Sequence, residues 1–131
     1  MHNSKIKKKI ITLIGPTACN KTSTAVHLIK KFPISIIGVD SVQIYKRFNI
    51  GSAKPPKEIL EKYKHHLVDS ADPENIFSVK DFYDQAYRIV LQAHSNNRIP
   101  LLVGGTMMYF NAVFKGINDI PEGNEAIREE L

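Results

Sequence analysis

Residues 10–22 read Ile10-Ile11-Thr12-Leu13-Ile14-Gly15-Pro16-Thr17-Ala18-Cys19-Asn20-Lys21-Thr22. The first five form a short, β-branched apolar run, the pattern of a buried strand. Gly15-Pro16 breaks it. From Lys21 to Phe32, apolar Ala25, Leu28, Ile29 and Phe32 recur at helical spacing until Pro33 stops the helix. Strand, glycine-led turn, Lys-Thr and helix are the context of a phosphate loop, G-x-x-x-x-G-K-[ST], the kind that binds nucleotides such as ATP. In such a loop, backbone N–H groups between Gly15 and Thr22, with those of the helix N-terminus, wrap a polyphosphate. The loop residues are Gly15, Pro16, Thr17, Ala18, Cys19, Asn20, Lys21 and Thr22. Lys21 supplies a point charge and Thr22 is placed to ligate Mg²⁺. Asn20 stands where the pattern has glycine. Asn is the best non-glycine substitute for positive φ, so the turn is expected to form, with a side chain close to the phosphate. The competing reading is a plain strand-to-helix turn with an incidental Lys-Thr.

The rest of the chain repeats the alternation. Ile34 to Val39 is a second buried-strand candidate, and Pro55-Pro56 followed by Ile59, Leu60 and Tyr63 predicts a short helix. Ser78 to His94 is the strongest helix: Ser78 caps it, Asp81 sits at N3, and Val79, Phe82, Tyr83, Ala86, Val90 and Ala93 make one stripe. Ile99 to Val103 is a third strand, Gly104-Gly105 a turn, and Thr106 the cap of a helix through Met107, Phe110, Val113 and Phe114 that Gly116 is expected to end. Pro121 and Gly123 precede a helix start near Asn124. Strands alternating with helices predict an α/β fold, a P-loop NTPase-like parallel sheet with helices on both faces.

A chain of 131 residues, 43% hydrophobic and 24% charged, is one ordinary domain with a core, not a disordered tail or a fibrous repeat. One Cys excludes a disulfide scaffold and a four-cysteine zinc site. The net charge of +5 favours anionic partners such as phosphates or RNA. Lys5, Lys7, Lys8 and Lys9 read as a solvated tail leading into the first strand, with a nucleic-acid contact as the alternative. The apolar run after them is too short for a signal peptide, and no window approaches the ~20 residues of a membrane span. A cytoplasmic, monomeric protein is expected.

Asp40 immediately follows the second strand, on the same sheet edge as the loop. A carboxylate there holds a metal through water, accepts a proton from a nucleophile, or simply caps a turn. Ser41 and Gln43 add hydrogen-bonding capacity. Gly104-Gly105-Thr106 should reach the same crevice from the third strand, with a hydroxyl for a phosphate or a base. His65-His66 is not read as a metal site, since no ligand recurs at a suitable spacing. Cys19 has no oriented base and is not read as a catalytic thiol.

Five segments occur in a telling order: Gly15-Pro16-Thr17-Ala18 with Lys21-Thr22, Asp40 to Tyr45, Ile50 to Pro55, His65 to Asp69, and Leu102 to Phe110. Together they resemble the tRNA dimethylallyltransferases, also called tRNA isopentenyltransferases, over nearly all the chain from residue 8. The resemblance implies transfer of a dimethylallyl group from its diphosphate to N6 of adenosine 37, beside the anticodon. Lys21 and Thr22 would grip the diphosphate with Mg²⁺, and Thr17 would help bind the donor. Asp40 would accept the N6 proton. Asp40, Ser41, Val42 and Gln43 match the tRNA-contacting stretch, Thr106 a site between donor and tRNA, and Arg128 a further tRNA contact.

The same resemblance implies that residues 1–116 are a partial P-loop core and 117–131 the start of a helical tRNA-binding insertion. On that expectation the domain is incomplete. The chain would then be a prenyltransferase fragment with little activity alone, or one piece completed by a second polypeptide. Two other functions compete. A small P-loop nucleotide or metabolite kinase needs clustered arginines, and only Arg47, Arg88, Arg98 and Arg128 are present. A non-catalytic phosphate- or RNA-binding module would bind without turnover.

Overall fold

The computed structural model describes residues 9–16, 20–47 and 54–118. Within them lie β1 (Ile11–Ile14), α1 (Lys21–Lys31), β2 (Ile34–Val39), α2 (Lys57–Lys62), β3 (His65–His66), α3 (Val79–Ser95), β4 (Ile99–Gly104) and α4 (Met107–Asn118). All strand pairs are parallel, in the order β1-β4-β2-β3. The expected α/β fold with a parallel sheet is the one observed.

Side-chain alternation divides the core into two layers. On one face, Ile34, Ile36 and Leu101 pack with Ala25 of α1, joined by Leu13, Leu28 and Ile29. On the other, Ile37, Val39 and Leu102 meet Phe82, Ala86 and Val90 of α3 and Tyr109, Phe110 and Val113 of α4. The rings of Phe82 and Tyr109 stack at 4.2 Å between the two helices. Helices therefore cover both faces, because the apolar residues of β2 and β4 fall on each side of the sheet and need cover on both. None of the described helices is long and apolar enough to cross a membrane.

The expected cap of α3 forms in full. Ser78 Oγ accepts from Asp81 N at 3.0 Å, and Asp81 Oδ2 accepts from Ser78 N at 2.9 Å. The expected end of α4 at Gly116 does not: the helix runs on to Asn118. Gly116 is small because Tyr83 of α3 lies against it, where a Cβ would stand 2.0 Å from Cε1 of the ring. Packing, not termination, explains that glycine. The helix start near Asn124 lies outside the described residues.

His65-His66 is a two-residue strand that the sequence reading missed. His65 is buried beside Ile36, with Nδ1 2.8 Å from Tyr63 O and Nε2 buried without a partner. Burial pushes its pKa below the ordinary 6.5, against the opposing bond to the Tyr63 carbonyl. Burial also lowers His66, helped by Lys64 and His65. A folded state that resists protonation is most stable above the ordinary histidine pKa, and loses that stability as pH falls through the folded values. Thermal melts from pH 8 to pH 5 should show a falling Tm, and H65L should flatten the slope. An unchanged slope in H65L would exclude His65 as its source.

Candidate functional site

Strand register builds the site. Ile14 and Val39 both lie beside Gly104 in neighbouring strands. The next residues, Gly15, Asp40 and Gly105, therefore leave the sheet together at its carboxyl edge. Three bonds lock the row: Gly15 N donates to Gly104 O, and Gly105 N and Thr106 N both donate to Val39 O, each at 3.2 Å. A Cβ on Gly104 would stand 2.0 Å from Val39 O, so only glycine allows this approach.

Residues 17–19 lie outside the described residues, so Thr17, Ala18 and Cys19 receive no structural account. Asn20 ends the loop at φ 56°, ψ 32°, in the left-handed region where the pattern has glycine. Its side chain makes no cap bond, and its carbonyl accepts from Thr24 N at 3.1 Å and Thr24 Oγ1 at 3.2 Å. Asn is tolerated at this position because it adopts positive φ more readily than other non-glycine residues. Lys21 folds back over the turn, its Nζ donating to Gly15 O at 2.7 Å and Pro16 O at 2.6 Å. The first turn of α1 carries no acidic residue. The N–H groups at a helix N-terminus, the helix dipole and Lys21 together favour an anion.

Of the roles expected for Asp40, the turn cap is observed. Its Oδ1 accepts from Val42 N at 2.8 Å and Gln43 N at 3.0 Å, closing the turn after β2. Its Oδ2 has no partner among the described residues, so the two oxygens differ in their bonding. Across from it, Thr106 Oγ1 accepts from Ser41 N at 2.9 Å and lies 3.5 Å from Ser41 Oγ.

One open groove of about 1140 Å³ connects these parts. Its lining includes Gly15, Pro16, Asn20, Lys21 and Thr22 from the loop and α1, and Asp40, Ser41, Val42, Gln43 and Thr106 from the other strand ends. Every expected site residue that is described lies on this groove; Arg128 is outside the described residues. The sequence reading did not include Ser23, Val26, His27 and Lys30, which extend the groove along α1, or Ile59 of α2. Their signal was the helical spacing 23, 26, 27, 30, on the face opposite Ala25, Leu28 and Ile29. Among the described residues no cluster of three His, Cys, Asp or Glu is placed to hold a metal.

The family model for IPP transferase matches residues 43–131. The chain belongs to the IPP transferase family. Among relatives of this family, the tRNA dimethylallyltransferase of Dichelobacter nodosus is 44% identical over 122 residues, covering 93% of this chain and 38% of that protein. The tRNA dimethylallyltransferase of Legionella pneumophila (strain Corby) is 44% identical over 126 residues, covering 96% and 40%. The full-length tRNA isopentenylpyrophosphate transferase of Bacillus halodurans superposes with a TM-score of 0.78 at 41% identity, over 95% of this chain and 41% of that one. A eukaryotic dimethylallyltransferase acting on tRNA gives 0.76 at 29% identity, over 81% and 26%. This IPP transferase chain thus spans about two-fifths of the length of the curated relatives it matches.

Proposed function

We propose that this chain is the donor-binding part of a cytoplasmic tRNA dimethylallyltransferase. The observation that carries the reading is the groove itself. Its lining includes Gly15, Lys21 and the start of α1 together with Asp40, whose Oδ2 has no partner among the described residues, and that combination supports a site for an anion beside a base.

In the proposed reaction the N6 lone pair of adenosine 37 attacks C1 of the dimethylallyl group. The C1–O bond breaks and the diphosphate leaves with the electron pair. The N6 proton passes to Oδ2 of Asp40. An exocyclic amine of a base is a weak nucleophile, so a carboxylate at the reacting nitrogen lowers the barrier by removing charge as it forms. Lys21 exchanges its loop carbonyls for diphosphate oxygens, and the α1 N-terminus stabilises the leaving charge. Ser41 and Thr106, already bonded to each other, form the wall between donor and base. Gln43 and Val42 meet the RNA. Thr22 offers the kind of hard oxygen that would hold Mg²⁺. When bound, that ion neutralises diphosphate charge.

No arginine lines the groove among the described residues. Arg98 is used elsewhere, donating to Ser35 Oγ at 3.2 Å and to Ile34 O beside the amino end of β2. That disfavours the kinase reading, which needs arginines around the transferred phosphoryl group. Binding is tested on the chain itself, by calorimetry with dimethylallyl diphosphate and Mg²⁺. Transfer is tested in a chimera joining the chain to the remainder of the Bacillus halodurans protein, with an anticodon stem-loop as acceptor. Donor binding and N6-dimethylallyladenosine by mass spectrometry are the expected results. Phosphoryl transfer from ATP to a nucleotide, without prenylated product, would replace this reading with the kinase.

A further inference from the structure

We propose that Lys54 is a positioning residue for Asp40: its buried ammonium ties the turn that carries the carboxylate to the segment after β3. The proposal rests on Asp40 as the proton acceptor. The Lys54 side chain is 5% exposed, while that of its partner Asp69 is 44% exposed. Its Nζ donates to Asp69 Oδ1 at 2.5 Å and to Tyr45 O at 2.6 Å. An ammonium has three donors and no acceptor, and burying one is unfavourable unless it is paired. Among the described residues its partners include a carboxylate and a backbone carbonyl of the Asp40 turn.

The same two segments are stitched by backbone. Asp69 N donates to Gln43 O at 3.0 Å, and Ser70 N and Ala71 N to Ile44 O at 2.8 and 2.9 Å. Lys46 N returns the contact to Ala71 O at 2.9 Å. Asp69 itself sits at φ 59°, a left-handed conformation that sends its N–H to the turn and its carboxylate to Lys54. The path to the site is then short: Lys54 and Asp69 hold Tyr45 O and Gln43 O, and Gln43 N holds Asp40 Oδ1. Neither Lys54 nor Asp69 lines the groove, so the pair acts through the turn.

Two variants test this. K54M removes the charge at similar length. D69N neutralises the partner while keeping a residue that tolerates positive φ. Each is compared with the native chain by amide hydrogen exchange resolved by NMR, and in the chimera by steady-state kinetics. The expected result is local: Val42 and Gln43 amides exchange roughly tenfold faster or more, while Gly105 and Thr106 amides keep their protection. In the chimera kcat falls on the order of 10²-fold, as for a displaced catalytic group, with KM for the donor unchanged. Native protection at Val42 and Gln43 in a folded variant would overturn the proposal. So would loss that spreads to Gly105 and Thr106, or a native kcat despite the loosened turn. Should the unsubstituted chimera make no product, the prenyl-transfer reading fails, and exchange alone still decides whether Lys54 holds the turn.

Discussion

Asp40→Asn should lower prenyl transfer in the chimera by about 10²–10⁴-fold, the usual contribution of a positioned general base. The fold and the donor affinity should survive. The reason lies in the division of labour between the two oxygens. Oδ1 accepts from Val42 N and Gln43 N, and an Asn side chain keeps an oxygen for both bonds. The other position becomes an NH₂ group, which donates and cannot take a proton. Asp40→Ala removes both functions and is the poorer experiment, since loosening of the turn would mix with loss of the base. Initial rates with saturating donor, read beside calorimetric donor binding, separate the outcomes. A D40N rate within tenfold of the native rate would remove Asp40 from proton transfer and leave it as a turn cap.

Gly104→Ala should give the largest loss of stability in the chain, on the order of 4 kcal/mol or more, in the range reserved for severe steric conflict. The added Cβ would stand 2.0 Å from Val39 O and 2.5 Å from Val39 C. Both are backbone atoms of the neighbouring strand, so no rotamer relieves the clash. Separating β2 from β4 would also break the bonds from Gly105 N and Thr106 N to Val39 O, and with them the row that lines up Gly15, Asp40 and Gly105. Circular dichroism melts should show little or no cooperative transition near the native Tm. Gly105→Ala is the control. Its Cβ would meet Gly15 O at 3.0 Å, a tight contact that a small loop shift relieves, so a folded protein is expected. A native melt for G104A would mean that the two strands separate more easily than their close approach implies.

The helices were legible because their determinants are local. Ser78 and Asp81 are three residues apart and their reciprocal cap forms as read. The stripe of α3 has Phe82, Ala86, Val90 and Ala93 buried, as its spacing requires. Gly116 was misread as a stop because its reason is non-local: the ring of Tyr83, on another helix, occupies the space a side chain would need. The two-residue β3 left no periodicity to read. Its pairing with Ile36 and Ile37 exists only once β2 is in place.

The candidate site divides in the same way. That Gly15, Asp40 and Thr106 should share an edge follows from sequence, because each directly follows a parallel strand or its turn. Asn20 in the left-handed region also follows, since a single residue's conformational preference decides it. Only the tertiary structure decided the strand order β1-β4-β2-β3 and the sharing of Asp40 between cap and free oxygen. Lys54 and Asp69, fifteen residues apart, are likewise joined under the turn only by the fold. Spacing along a chain carries the geometry of one helix or one strand. A buried ion pair or a backbone contact at 3.2 Å depends on which segments the whole core brings together, and that is set by burial summed over both faces of the sheet.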